Sequence, residues 1–393
     1  MSAPIYLDAN ATTPLHPAAR AAMLPLLDAN YGNPSSVHAL GQAARAAVDG
    51  AREQCAEALG ARPKDLVFTS GGTEAAQLAI AGTVRGLLAA GRARGEQPLV
   101  VVSAVEHPCV LGACEELEPL GVKTVRIGVD RQGALDLRAL EEALATPGAL
   151  LCSVMAANNE TGVLAPLDEI AALCRRRSVL LHTDAVQLAG KSLPSAGDAV
   201  ARLCDLPVDL LSISGHKLEG PKGAGLLWAR SGVPLRAVQP GGHQERGRRG
   251  GTENAAAIAG LGAVLAQSQR GLQERVERIS GLRLRLEQGL RTIPSVRIVA
   301  EGAPRLGNTC CALFDGCDGQ TLLVALDQAG ICVSTGSACS SGSLSPSPVL
   351  LAMGFQEPEA RSALRFSLWS GNTDEEIERV CASLPALVAQ ARS

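Results

Sequence analysis

The feature that most limits the fold is an alternation. Short apolar runs occur at Leu66–Thr69, Leu99–Ser103, Val122–Ile127, Leu150–Met155, Val179–His182 and Leu210–Ile213. Stretches of helical spacing begin between them, near Thr73, Pro108, Leu137 and Leu167. Strands that are apolar throughout, with helices between, predict a mostly parallel sheet covered on both faces. After about Thr252 the pattern changes. A long helical stretch runs from Glu253 to about Arg291, broken near Gly271. Shorter strands follow around Val296–Val299, Thr309–Phe314 and Ala363–Leu368, and a last helix opens with Thr373 and Glu376 as a capping box. The 393 residues allow two domains. We expect the α/β class: a large domain over residues 1–256 with a mostly parallel central sheet, and a smaller α+β domain over 257–393. The first 15 or so residues are expected to pack on the smaller one.

Composition removes several classes. With 46% hydrophobic and 19% charged residues the chain is neither disordered nor fibrous. A net charge of −3 and 2% aromatics provide neither a basic patch nor stacking platforms, so no nucleic-acid partner is expected. No run reaches the roughly 18 apolar residues of a membrane helix, and Met1 to Ile5 lacks the basic start of a signal peptide. A cytoplasmic chain without a membrane partner is expected. The 12 cysteines contain no CxxC pair, so neither a zinc knuckle nor a structural metal site is predicted. In a reducing compartment most read as small buried hydrophobes.

In an open parallel sheet, ligands sit beyond the carboxyl ends of the strands. After the first run comes Ser70-Gly71-Gly72-Thr73-Glu74, where two glycines and a helix start suit an anion; a tight turn capped by Thr73 reads equally well. Glu106-His107 follows the second run. That histidine can stack on a planar ring or shuttle a proton, or be a polar loop residue. Asn158-Asn159-Glu160-Thr161-Gly162 follows the fourth. Asp184 ends the fifth, where a buried carboxylate needs a partner such as a pyridinium N–H, or caps a helix; Gln187 can then reach a phenolic oxygen. Ser214-Gly215-His216-Lys217 follows the sixth. An amine there can have its pKa lowered, as Schiff-base chemistry requires, or can reach solvent beside Lys222. Together the five ends describe a pyridoxal phosphate site. No G-x-G-x-x-G follows the first strand, which sets a nicotinamide dehydrogenase aside.

Further clusters lie outside the sheet. Gly241 to Thr252 is glycine-rich and basic, and suits a phosphate from a second side or from another subunit, or is a plain surface loop. Ser334 to Ser347 is rich in Ser and Gly, which suggests a mobile loop, and it carries Cys339 as an accessible thiol. Arg365, in an apolar strand, needs an anion, such as a substrate carboxylate.

These motifs resemble the cysteine desulfurases of the class V aminotransferase family, fold type I of the pyridoxal phosphate enzymes. The likeness runs from Tyr6-Leu7-Asp8 to about Ser367. The Ser-rich stretch after Cys339 resembles the group I enzymes. The resemblance implies a homodimer that takes L-cysteine, with Lys217, Cys339 and His107 as catalytic residues. It implies that Gly72, Thr73, His107, Asn159, Asp184, Gln187, Ser214, His216 and Lys217 hold the cofactor, with Thr252 from the partner subunit. Asn159, Arg365 and Asn33 would hold the substrate. Cys339 would carry a persulfide to a sulfur acceptor or an iron–sulfur scaffold protein, and would at times ligate a cluster. A selenocysteine lyase, or another class V lyase or transaminase, is the alternative. Two departures stand out: Trp369-Ser370 replaces the usual Gly-Arg or Ser-Arg, and Gly72 replaces the alanine of many relatives.

Overall fold

A computed structural model describes residues 3–192, 202–336 and 345–392. In chain order its strands are β1 (Ile5–Tyr6), β2 (Leu66–Thr69), β3 (Leu99–Ser103), β4 (Lys123–Ile127), β5 (Ala149–Ser153), β6 (Leu180–Asp184), β7 (Leu210–Ser214), β8 (Gly225–Ala229), β9 (Val296–Ile298), β10 (Thr309–Phe314), β11 (Ile331–Cys332) and β12 (Ala363–Ser367). Seven of them form one sheet in the order β2-β8-β7-β6-β5-β3-β4. β3 to β7 pair in parallel. β8 runs antiparallel to both β7 and β2. β2 therefore points with the parallel set, and the ends of β2, β3, β5, β6 and β7 lie along one edge.

Side chains alternate between two apolar layers, as the strand period requires. Leu66, Phe68, Val101, Cys152, Leu181 and Leu211 face one core; Val67, Val100, Val102, Leu151, Leu210 and Leu227 face the other. β8 was not expected from the alternation, because it returns from β7 without a helix. The helix Pro17–Asp28 was also missed: Pro25 inside it interrupts the helical signal. Among the described residues no helix is long and apolar enough to cross a membrane.

The helix Ala255–Ser268 packs on the helices Pro17–Asp28 and Ala39–Leu59, and its Ile258, Leu261 and Val264 join the core of the large sheet. This helix therefore packs with the large sheet. Gly271 has a left-handed φ of 57° and opens the helix Leu272–Arg291. The smaller domain holds the antiparallel sheet β12-β10-β9. The lead-in segment belongs with it. β1 pairs with β11, and Ile5 and Leu7 are buried among Leu286, Phe314 and Phe366.

One buried ion pair fixes the Gly241–Thr252 loop to the large domain. Glu245 receives two hydrogen bonds from Arg52, at 2.5 and 3.1 Å, and the N–H of Phe68 at 3.0 Å. Glu245 and Arg246 hold left-handed φ angles of 47° and 58°, a costly backbone that needs such a clamp. Removing one partner leaves a buried charge unmatched. Arg52→Ala is expected to cost roughly 3–5 kcal/mol in denaturant unfolding. Adding Glu245→Ala should cost less than the sum of the single variants; strictly additive losses would contradict the coupling.

Candidate active site

A cavity of about 510 Å³ opens at the carboxyl edge of the parallel strands. Gly72, Thr73, His107, Asn159, Asp184, Gln187, Ser214, His216, Lys217 and Arg365 all line it. They are far apart in sequence and meet because each stands at or just beyond a strand end, Arg365 reaching in from β12.

Asp184 closes β6. Its Oδ1 accepts the N–H of Val186 at 2.9 Å. Burial pushes its pKa up to about 6, although the Val186 N–H, the Lys217 charge and the Ser212 hydroxyl pull it down. A carboxylate so placed is relieved by a cationic N–H donor. Lys217 stands one short turn past β7, and its Nζ donates to the carbonyls of Asn10 at 2.7 Å and Ala11 at 2.6 Å.

His107 caps the helix Pro108–Glu115. Its Nδ1 accepts the N–H of Cys109 at 3.1 Å and lies 3.0 Å from the Cys109 Sγ. The neutral ring then carries its proton on Nε2. Burial, and next the Lys217 charge, lower its pKa to about 4, so it is neutral at pH 7. His216 is likewise lowered to about 4, by burial first and then by Lys217, Lys222 and Lys191.

β2 gives way to the helix that begins at Gly72. A Cβ on Gly72 would stand 3.0 Å from Val186 Cγ2 and 3.3 Å from Ser214 Cβ. Glycine thus lets the turns after β2, β6 and β7 close on one another. Thr73, Ser214 and the N–H groups opening this helix form a donor set suited to an anion.

Asn10 and Lys191 were missed in the sequence. The Asn10 carbonyl also accepts Gln187 Nε2 at 3.0 Å, and its Oδ1 accepts Lys191 Nζ at 3.0 Å. Lys191 lines a second cavity of about 140 Å³, which shares Lys217 with the first. Burial pushes the Lys191 amine well below the ordinary lysine range, with Lys217 and Arg365 adding to it. Asn10 acts through partners distant in sequence, and Lys191 through Asn10 as well as the nearby Gln187, to which its Nζ donates at 2.5 Å. Trp369 and Ser370 line this second cavity as well. Ser370 donates to Glu219 Oε1 at 2.5 Å, so the departure from the usual motif ties the smaller domain to the turn after Lys217.

Arg365 already has part of the anion its burial demands: Nη2 donates to Asp8 at 2.7 Å and Nη1 to the Asn159 carbonyl at 3.1 Å. Its Nε has no partner among the described residues. Two expected residues are not brought to the cavity by this chain. Thr252 is exposed. Asn33 is exposed too, and its Oδ1 caps its own turn through the N–H of Ser35. Cys339 lies outside the described residues.

The family model for class-V aminotransferases matches residues 5–380. A cysteine desulfurase of Cereibacter sphaeroides is 45% identical over 392 residues, covering 99% of this chain and 97% of the relative. One of Gluconacetobacter diazotrophicus is 43% identical over 391 residues, covering 99% and 94%. The solved structure of a NifS-like protein from Rickettsia africae superposes with a TM-score of 0.85 at 33% identity, covering 98% and 99% of the two chains. With a full-length family match and relatives this similar, the chain belongs to the class-V aminotransferase family and, within it, to the cysteine desulfurases.

Proposed function

We propose that this cysteine desulfurase works with pyridoxal 5′-phosphate in the cavity at the strand ends, converts L-cysteine to L-alanine, and takes up the sulfur as a persulfide on Cys339. The observation that carries the reading is the meeting of Asp184 and Lys217 in one cavity. A carboxyl raised to about 6 by burial suits a ring N–H. The donors at Thr73 and Ser214 suit a phosphate, and Lys217 supplies the amine that anchors the group.

When bound, pyridoxal phosphate supplies a carbonyl that captures amines and a ring that withdraws electrons from the adjoining carbon. Asp184 keeps the ring nitrogen protonated. His107, neutral, presents an apolar ring face and an Nε2 proton. Gln187 spends one N–H on Asn10 and keeps the other for the phenolic oxygen. Lys217 Nζ moves protons to and from the substrate carbon. Arg365 Nε and Asn159 hold the substrate carboxylate. The Cys339 thiolate attacks the substrate sulfur: an S–S bond forms, the C–S bond breaks, and the electron pair stays with the carbon that becomes the methyl of alanine. A sulfur acceptor or iron–sulfur scaffold protein then takes the outer sulfur.

A homodimer completes the site in this reading, with Thr252 of the partner subunit reaching the phosphate. Tyr31 and Val37 stand 72% and 89% exposed. They flank Ser35, which shares a cleft with His243 and Arg246 of the clamped loop. Apolar side chains so exposed beside that loop suit a second copy.

The purified enzyme is expected to be yellow and to bleach with borohydride. Lys217→Ala should remove that colour and cut alanine formation by at least roughly 10²–10⁴-fold; a coloured, active variant would sink the assignment. Asp184 gives a test by pH. Its folded pKa lies above its unfolded value, so its contribution to stability is full below about pH 4 and is lost as pH rises through about 6. In cofactor-free protein, Asp184→Asn should therefore gain about 3 kcal/mol over wild type between pH 4 and 7. Parallel stability curves for the two would contradict the burial of this carboxyl.

A further inference from the structure

One buried carboxylate beside the substrate corner has no part in the chemistry above. Glu160 follows Asn159 in the turn after β5 and is 4% exposed. Its backbone is fixed. The N–H donates to Asn158 Oδ1 at 2.9 Å, and Asn158 Nδ2 donates to the carbonyl of Val105 at 3.1 Å, two residues before His107.

The Glu160 side chain reaches away from this turn to two other chain positions. Oε2 accepts the hydroxyl of Ser347 at 2.5 Å. The same oxygen lies against Gly336, where an added Cβ would fall 2.4 Å from it and 3.4 Å from Ser347 Cβ. Ser347 in turn caps the helix Pro348–Ala352 through the N–H of Leu350 at 3.1 Å. Two residues before Gly336, Ser334 pairs with the substrate arginine. The Arg365 N–H donates to the Ser334 carbonyl at 2.7 Å, and the reverse bond is 3.2 Å. Gly336 and Ser347 bracket Cys339 in sequence. One carboxylate thus touches the chain on both sides of the proposed nucleophile.

We infer that Glu160 is a positioning residue for sulfur transfer: it holds Gly336 and Ser347, the two positions that bracket Cys339, against the Asn159–Arg365 corner of the cavity. The inference rests on the desulfurase reading. A tethered thiol attacks at a rate set by its effective concentration at the substrate, which depends on where its tether begins and ends. Drift of these two positions reduces productive approach while the contacts to the substrate carboxylate stay in place. Glycine at 336 fits the arrangement, because any side chain there would displace the carboxylate that forms the clamp.

The experiment uses holoenzyme and L-cysteine, with Glu160→Ala, Glu160→Gln and Ser347→Ala beside wild type. Two quantities are read in a single turnover: the change in cofactor absorbance on mixing, which reports substrate binding, and the persulfide on the Cys339 peptide by mass spectrometry. Glu160→Ala and Ser347→Ala should slow persulfide formation by roughly 10–100-fold. The substrate-induced absorbance change and KM should stay within about twofold, and Glu160→Gln, which keeps an acceptor oxygen in place, should recover most of the rate. Wild-type persulfide rates in both alanine variants would overturn the inference. So would a proportional loss of the absorbance change, which marks general damage to the site. Wild-type enzyme that forms no persulfide would overturn the desulfurase reading instead.

Discussion

Asn10 joins the two domains at the reacting end of the sheet. Its carbonyl accepts Lys217 and Gln187, its Oδ1 accepts Lys191 and Asn308, and its Nδ2 donates to Thr309 and to the carbonyl of Asn159. Its own N–H donates to Ser367. Every polar group of a residue only 2% exposed is therefore used. The ends of β5, β6 and β7 are tied through it to β10 and β12. Each buried polar group left without a partner costs about 1–3 kcal/mol, so the arrangement holds together or fails together. The lead-in segment thus does more than begin the chain: it sets where Lys217 stands.

Burial around this hub leaves few charges for chemistry. His107 and His216 are held neutral. Lys191 is pushed well below the lysine range. Burial pushes Glu106 well above the carboxylate range and the nearby Asp184 charge adds to it, although the N–H of Met155, 2.6 Å from Oε1, pulls the other way. Opposite charges meet at Arg365, whose Nη2 donates to Asp8 at 2.7 Å, and the Lys217 charge pulls against burial at Asp184. In a site of low dielectric, such fixed charges act strongly on a bound group and need no reorganisation. Glu160 fits the same logic as a buried carboxylate kept for what it holds.

The sheet was legible because strands buried on both faces must be apolar throughout, and such runs stand out in a sequence. The strand-end residues were legible for a related reason, since an α/β sheet delivers them to one edge. β8 escaped because a strand that returns directly from its neighbour breaks the alternation. Arg365 stood out as a charge in an apolar strand, but its ion partner, Asp8, lies 357 residues away and nothing local points to it. Asn10 was hidden in the same way, since its partners Lys217, Asn308 and Thr309 are all far along the chain. Asn33, which the resemblance placed at the substrate, lies in an exposed turn of this chain, outside the lining of the cavity.

The most direct test of the chemistry is release of alanine and sulfide from L-cysteine in the presence of a reductant, for wild type and Cys339→Ala side by side. Equal amounts of both products from wild type, and neither from the variant, are the expected result. A variant as active as wild type would contradict persulfide transfer through Cys339 and would leave another class-V lyase on the same scaffold.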